Sequence, residues 1–338
     1  MAGIKALRKL QVGKEGTPGS PVAATARILG DITYRDASEA IEAERDYGLY
    51  TRYAEAFQIA AYLTEIEVET DLSYEQILYP LLAGLKGGVT GVEQNGGQGD
   101  YLYSFTAPVT GDPNPDTFTM EYWERDESGN VQTLEADYGF CKSLGISASK
   151  GPELAVLRHS WAAREATITT PTGAIGIPVR TLVPSQQWGV KFATTMAGLP
   201  GASVISGEIL SFDWDMAWFD IKRRLSGSLD FDAHRIAARE VNLSIVMDLT
   251  STSEGERVNM FRAGAVRFIR LECNGAQIGS GDTYNITIDG AYTMPGPFEM
   301  GSDEDGLSNV TLEYKGLYDS TAGYDLKVDV TNNLSALP

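Results

Sequence analysis

Apolar and charged positions alternate along residues 60–71: Ile66 and Val68 point one way while Glu65, Glu67 and Glu69 point the other. A period of two with one apolar set predicts a strand covered on one side, and here the uncovered side is acidic and wet. The period then changes. Ile77, Leu78, Leu81, Leu82 and Leu85 form an apolar stripe at helical spacing, opened by Asp71 or Ser73 as a cap and stopped by Gly87-Gly88. Pro80 falls inside the stripe and predicts a kinked helix or two short turns. Strands follow at 101–105, 117–123, 132–138 and 154–161, separated by turn sequences at 111–115 and 128–130. The series then recurs: a strand at 241–249, a helix at 256–263, and strands at 266–273, 284–292, 309–318 and 326–330.

The recurrence has a register. Gly30-Asp31-Ile32 lies over Gly207-Glu208-Ile209 and, without a gap, Asp71-Leu72-Ser73 lies over Asp248-Leu249-Thr250, each 177 residues on. Asp36 meets Asp213, Ala40 meets Ala217, and after a short shift Ala83-Gly84 meets Ala263-Gly264. Solenoids and propellers repeat every ~20 to 50 residues, far below this period. The expectation is a duplicated domain: a mainly β chain of two tandem β-sandwich or barrel-like domains, each with a flanking α-helix, spanning 1–168 and 169–338. Residues 13–26, rich in Gly, Pro, Thr and Ala, read as an extended arm, and 169–200 as its counterpart plus the connection. Residues 38–61 fit a helix by their Ala and Glu content, but the partner stretch 215–238 contains Gly227-Ser228 and the alternation Leu229-Asp230-Phe231-Asp232, which favours strand and loop for both.

A chain of 338 residues accommodates about two domains of ordinary size, in agreement with the repeat. No apolar run approaches the ~18 residues of a spanning helix, and Met1 to Leu10 carries Lys5, Arg8 and Lys9 without a signal-peptide core, so neither membrane insertion nor export is expected. Cys141 and Cys273 stand in unlike contexts and read as buried thiols, which suits a reducing interior. The net charge of −19 argues against gripping nucleic acid, because that affinity comes largely from Lys and Arg displacing counterions. It is compatible with DNA passing over a surface that repels phosphate, and equally with simple solubility.

Candidate chemistry is sparse. His159 and His234 each stand alone, and the chain has no Gly-x-Ser-x-Gly elbow, no phosphate loop ending in Gly-Lys-Ser and no Cys-x-x-Cys. No cofactor, metal or catalytic residue is expected. The Gly-rich stretch 87–99 lacks a phosphate-loop ending and reads as a mobile loop, and Ser302-Asp303-Glu304-Asp305-Gly306 as a solvated turn rather than a calcium loop. Asp213, Asp215, Asp220, Asp230 and Asp232 near Trp214 and Trp218 suggest a sugar cleft, but the period of two puts the acids on a wet face and the large apolar groups on a buried one. Lys222, Arg223 and Arg224, a basic cluster in an acidic chain, suit a contact with an acidic patch on another copy.

Two stretches carry a family resemblance: Ala6-Leu7-Arg8-Lys9-Leu10-Gln11-Val12-Gly13-Lys14-Glu15 with Thr17-Pro18-Gly19-Ser20-Pro21, and Leu78-Tyr79-Pro80-Leu81-Leu82-Ala83-Gly84-Leu85-Lys86-Gly87. Further on come Leu229-Asp230-Phe231-Asp232-Ala233-His234 and Val266-Arg267-Phe268-Ile269-Arg270-Leu271. In order and character the chain resembles the tail tube proteins, or major tail proteins, of long, non-contractile-tailed bacteriophages and related prophages. The resemblance implies a structural subunit and not an enzyme, which self-assembles into stacked rings forming a hollow tube for DNA. Its partners would be further copies of itself and other tail proteins such as the tape measure and tail-end proteins, with DNA passing through unread. Its place would be the virion tail, assembled in the host cytoplasm. Such rings carry six domains, so the duplicated chain would close a pseudo-hexameric ring as a trimer. On that picture Glu65, Glu67 and Glu69 face the lumen, although Asn242, Ser244 and Val246 at the equivalent places break a uniformly acidic lining. Lys5, Arg8 and Lys9 reach a neighbouring ring, and Lys222, Arg223 and Arg224 serve a subunit contact. The alternative from another class is a soluble β-sandwich carbohydrate-binding module or sugar-active enzyme built on Trp214, Trp218 and the nearby acids.

Overall fold

The computed structural model describes residues 7–42, 57–85, 90–110, 115–125, 131–173, 175–296, 299–304 and 307–337. The chain is mainly β, with large antiparallel sheets. The first half runs β1 (Lys9–Lys14), β2 (Ala26–Ile28), β3 (Asp31–Asp36), β4 (Glu39–Glu42), β5 (Phe57–Ala61), β6 (Thr64–Asp71), helix α1 (Leu78–Gly84), β7 (Val92–Glu93), β8 (Tyr101–Thr106), β9 (Phe118–Arg125), β10 (Val131–Ser149), β11 (Val156–Ala163) and β12 (Thr167–Thr169). The second runs β13 (Trp188–Ala193), β14 (Ile209–Lys222), β15 (Ala233–Asp248), helix α2 (Ser251–Glu256) prolonged by a π-turn (Arg257–Arg262), β16 (Arg267–Gln277), β17 (Thr283–Thr293), β18 (Glu299–Glu304), β19 (Leu307–Leu317) and β20 (Leu326–Asn332).

Strands pair in the same order twice. In the first half β1 lies on β9, β9 on β10, β10 on β11, β11 on β6 and β6 on β3. In the second, β13 lies on β16, β16 on β17, β17 on β19, β19 on β15 and β15 on β14. β12 adds to β10 as β20 adds to β17. Gly30 and Gly207, each opening the first strand of its hairpin, both have positive φ, which glycine adopts without steric cost. The register of that strand departs from the ungapped alignment. Ile32 lies opposite Val68 and Phe212 opposite Ile245, so β3 matches β14 at 180 positions on while β6 matches β15 at 177. A β-bulge between Ile209 and Ser211 supplies one of these three positions, and an inserted strand residue of this kind leaves no mark on a hydrophobic pattern.

β10 is the strand that turns the corner. Its first part pairs with β9 and β12, its last part with β11 and β14, and register shifts at Ala136/Gly139 and Cys141/Ser143 bend it between the two sheets. Tyr138, at the first shift, is the one described non-glycine residue with positive φ, 56°. Its N–H donates to the buried Glu15 carboxylate at 2.9 Å, which also accepts from Gly19 N and the Thr117 and Thr119 hydroxyls. Four donors on one buried charge hold β1, β9 and the bend of β10 together, offsetting its desolvation.

The halves interlock. β20 pairs with β8, Asn332 donates to Tyr74 O, and one buried apolar cluster contains Ile66 and Trp161 together with Trp214, Leu243 and Tyr314. Residues 167–173 and 175–184 do not hang free: Thr172 donates to Glu121, and Val183 N donates to Leu72 O. The strand within this connecting region, β13, has only Val190 buried, too weak an alternation to read against its proline-rich surroundings. β4 and β5 pair as the partner stretch predicted, with residues 43–56 outside the described set. Every residue of α1 is buried, so it is a core helix rather than a flanking one. Pro80 sits in its first turn, where the missing N–H has no helical partner to lose. Cys141 and Cys273 are buried free thiols.

Candidate functional site

The alternation of β6 is resolved as read: Ile66 and Val68 are buried, Glu67 and Glu69 exposed and Glu65 half-buried. Those glutamates belong to a larger surface. β3, β6, β11, the last part of β10, β14, β15 and β19 lie side by side. Because facing residues in an antiparallel pair share a side, the polar set can be followed from strand to strand. Thr33 faces Glu67, which faces Ser160, which faces Ser143. Arg158 faces Gly145, which faces Asp215, which faces Asn242, which faces Lys315. One wet face therefore crosses both halves without a break, with the core packed behind it.

The face is low in the middle. On β10 it presents Ser143, Gly145 and Ser147, while longer side chains stand on the flanking strands. The result is a trough of 560 Å³ lined by Asp31, Glu67, Glu69, Ser143, Gly145, Arg158, Asp213 and Asp215. Across this gap the Arg158 Nη2 donates to both oxygens of Asp213, at 2.6 and 2.7 Å, bridging β11 and β14 over β10. A Cβ at Gly145 would stand 3.8 Å from Arg158 Nε and 3.4 Å from Trp214 O. A long side chain there would block the bridge.

Electrostatically the face is acid-rich but not bare. Asp31, Glu65, Glu67, Glu69, Asp213, Asp215 and Glu313 share it with Arg35, Arg158 and Lys315. Lys142 Nζ reaches Glu65 at 3.0 Å, Ser244 donates to Glu313 at 2.8 Å and Asn242 to Asp215 at 3.1 Å. These partly exposed pairs hold side chains in place more than they add stability. Directly behind, buried His159 accepts from Trp161 Nε1 at its Nδ1, 2.6 Å away. Burial pushes the imidazole down to about 3, so it is neutral wherever the protein works and adds no charge to the face.

The other sequence candidates fall elsewhere. Lys5 lies outside the described residues. Arg8 pairs with Glu124 at 3.2 Å and also donates to Ile32 O, while Lys9 opens β1 with its ammonium 4.7 Å from the Trp123 ring. Arg8 and Lys9 thus stand at a core strand, not on a detached arm. Lys222, Arg223 and Arg224 lie at the β14–β15 tip, where Arg223 donates to Tyr62 O and Leu229 O within the chain, and Leu225 beside them is fully exposed. Gln94–Asp100 of the Gly-rich stretch is docked: Asp282 N donates to Asp100 and Ser280 to Gln98. Asp213 and Asp215 open on the polar face, whereas Trp214 and Trp218 are buried behind it and cannot stack on a sugar. Arg158, Ser143, Gly145, Ser160, Glu313 and Lys315 were not singled out from sequence. The alternation in Ser143-Leu144-Gly145-Ile146-Ser147 is the signal that would have found the middle of the face.

No family model matches this chain, and no curated protein matches it. Among the described residues no helix is long and apolar enough to cross a membrane, and no group of His, Cys, Asp and Glu is arranged to hold a metal ion.

Proposed function

We propose that the protein is a structural subunit of two tandem, duplicated β domains that self-assembles into stacked rings, forming a hollow tail tube through which DNA passes. Three chains supply six domains to a ring, and the tube belongs to a bacteriophage tail, with tape measure and tail-end proteins as its other partners. The observation that carries this reading is the unbroken polar face running from β3 through β10 and β14 to β19. A sheet face that is wet, acid-rich and shared by both halves suits the wall of a channel for a polyanion, because it offers phosphate few cations and many like charges. Arg158 is engaged by Asp213 and Lys142 by Glu65, which lowers the grip that free cations would exert. The strand order repeated in both halves supports the duplication, and with it three chains where a single-domain subunit would need six.

The test is direct. Purified protein is concentrated stepwise and followed by sedimentation and negative-stain electron microscopy. Hollow tubes or rings that sediment above a threshold concentration are the expected outcome; discrete monomers at every concentration and ionic strength would refute the proposal.

A further inference from the structure

Besides the β8–β20 pairing, the chain makes one joint between its halves along the polar face and carries the two separated sides of a second. Internally the last part of β10 pairs with β14, Ser147 facing Asp213 and Gly145 facing Asp215. In the repeated strand order β14 holds the place of β3, and β18 holds the place of the last part of β10. β18 lies on β19 as that part of β10 lies on β11. Among the described residues β3 pairs only with β6 and β18 only with β19. Unpaired strand edges are sticky, and a repeated architecture with one internal joint and two complementary open sides closes by making the same joint between copies.

We infer that β18 of one chain pairs antiparallel with β3 of the next copy, repeating the β10–β14 joint. This inference rests on the assembly reading and specifies its interface. The register transfers residue by residue. Thr33 faces Glu67 as Asp213 faces Ser244, so Thr33 holds the place of Asp213. Val156 faces Asp71 as Asn309 faces Asp248, and Ser147 faces Val156 as Ser302 faces Asn309, so Ser302 holds the place of Ser147. Ser302 of one copy therefore lies opposite Thr33 of the next. Backbone direction agrees with this. Lys150 N donates to Leu210 O across the internal joint, so even-numbered residues of β14 turn their backbone groups to β10. On β3 it is the carbonyl of even-numbered Ile32 that receives Arg8 on the side away from β6. Arg8, held by Glu124, covers this edge in the lone chain and gives way to β18 on assembly.

Two variants test the joint in the full chain. In the internal joint Ser147 and Asp213 form a non-hydrogen-bonded pair, whose Cα separation of ~4.5 Å accepts a disulfide. Thr33→Cys with Ser302→Cys, oxidised after tube assembly, is expected to give a ladder of covalent oligomers on non-reducing gels. Each single variant gives at most dimers, and buried Cys141 and Cys273 do not compete. Asp303→Pro removes an N–H from the open side of β18 while leaving its contact with β19, and is expected to keep a folded monomer but raise the assembly threshold about tenfold or more. Tubes that form normally in Asp303→Pro, or that assemble from the double-cysteine chain without a covalent ladder, would overturn the joint and leave the assembly reading standing. Absence of any tube from the unmodified chain would overturn both.

Discussion

The two halves of the molecule place their strands in one order but keep different things constant. Behind the shared face, Ile66 and Val68 in the first half correspond to Leu243 and Ile245 in the second, all buried. In front of it, Glu65, Glu67 and Glu69 become Asn242, Ser244 and Val246. The helices diverge too: α1 is buried all round, while the segment from α2 into its π-turn leaves Val258 and Phe261 at 45 % and 37 % exposure. What both halves preserve is the apolar side of each strand, which fixes pairing, since a one-residue slip would bring charges into the core. The wet side varies more freely, even to Val246 in the place of Glu69.

The largest effects should come from the positions where the halves solve one packing problem differently. Trp161 on β11 and Tyr314 on β19 hold equivalent places facing Ile66 and Leu243, and both are fully buried with a bonded polar tip, Trp161 to His159 and Tyr314 to Glu256. Trp161→Ala and Tyr314→Ala should each cost about 3–5 kcal/mol in urea unfolding. A loss under about 1 kcal/mol at either site would show that the two halves do not share this packing.

Helix initiation separates them on a smaller scale. Thr250 caps α2, its hydroxyl accepting from Thr252 N while Ser253 Oγ accepts from Thr250 N, whereas α1 begins at Ile77 with no side-chain cap. Thr250→Ala should cost about 1–2 kcal/mol in the same measurement. No loss would mean that packing holds α2 as it holds α1.

The smallest effect concerns Asp137, beside the bend of β10. Burial raises its carboxyl from 3.8 to about 6, against the opposing attraction of Arg164. A raised carboxyl favours the folded state while it keeps its proton. Its contribution is complete below the unfolded value near 3.8 and is lost as pH rises through 6. Asp137→Asn should therefore raise Tm slightly at pH 7.5 and leave it unchanged at pH 3.5. An equal shift at both values would remove the titration from the account.

Local periodicity exposed much of this architecture. The alternation at β6 depends on neighbours in sequence and was readable there, whereas the helix expected at 256–263 begins at Ser251 behind Thr250, and α1 lacks the side-chain cap expected of Asp71 or Ser73. Pairing across distance was not readable. The alternation in residues 143–147 marks a strand but does not name β14 as its partner, and nothing in 326–332 announces β8 as a partner. The glutamates of the candidate face were visible as a stripe, but the Arg158–Asp213 bridge over Gly145 arises only when three strands distant in sequence lie together.

The central claim is that one chain contributes two equivalent units to a closed ring, and end-on averages of assembled tubes by cryo-electron microscopy measure it most directly. The account predicts rings of three chains that look six-fold at low resolution and resolve to three-fold symmetry once the halves can be told apart. Rings of six chains, or open filaments whose subunits meet elsewhere than at a sheet edge, would contradict it.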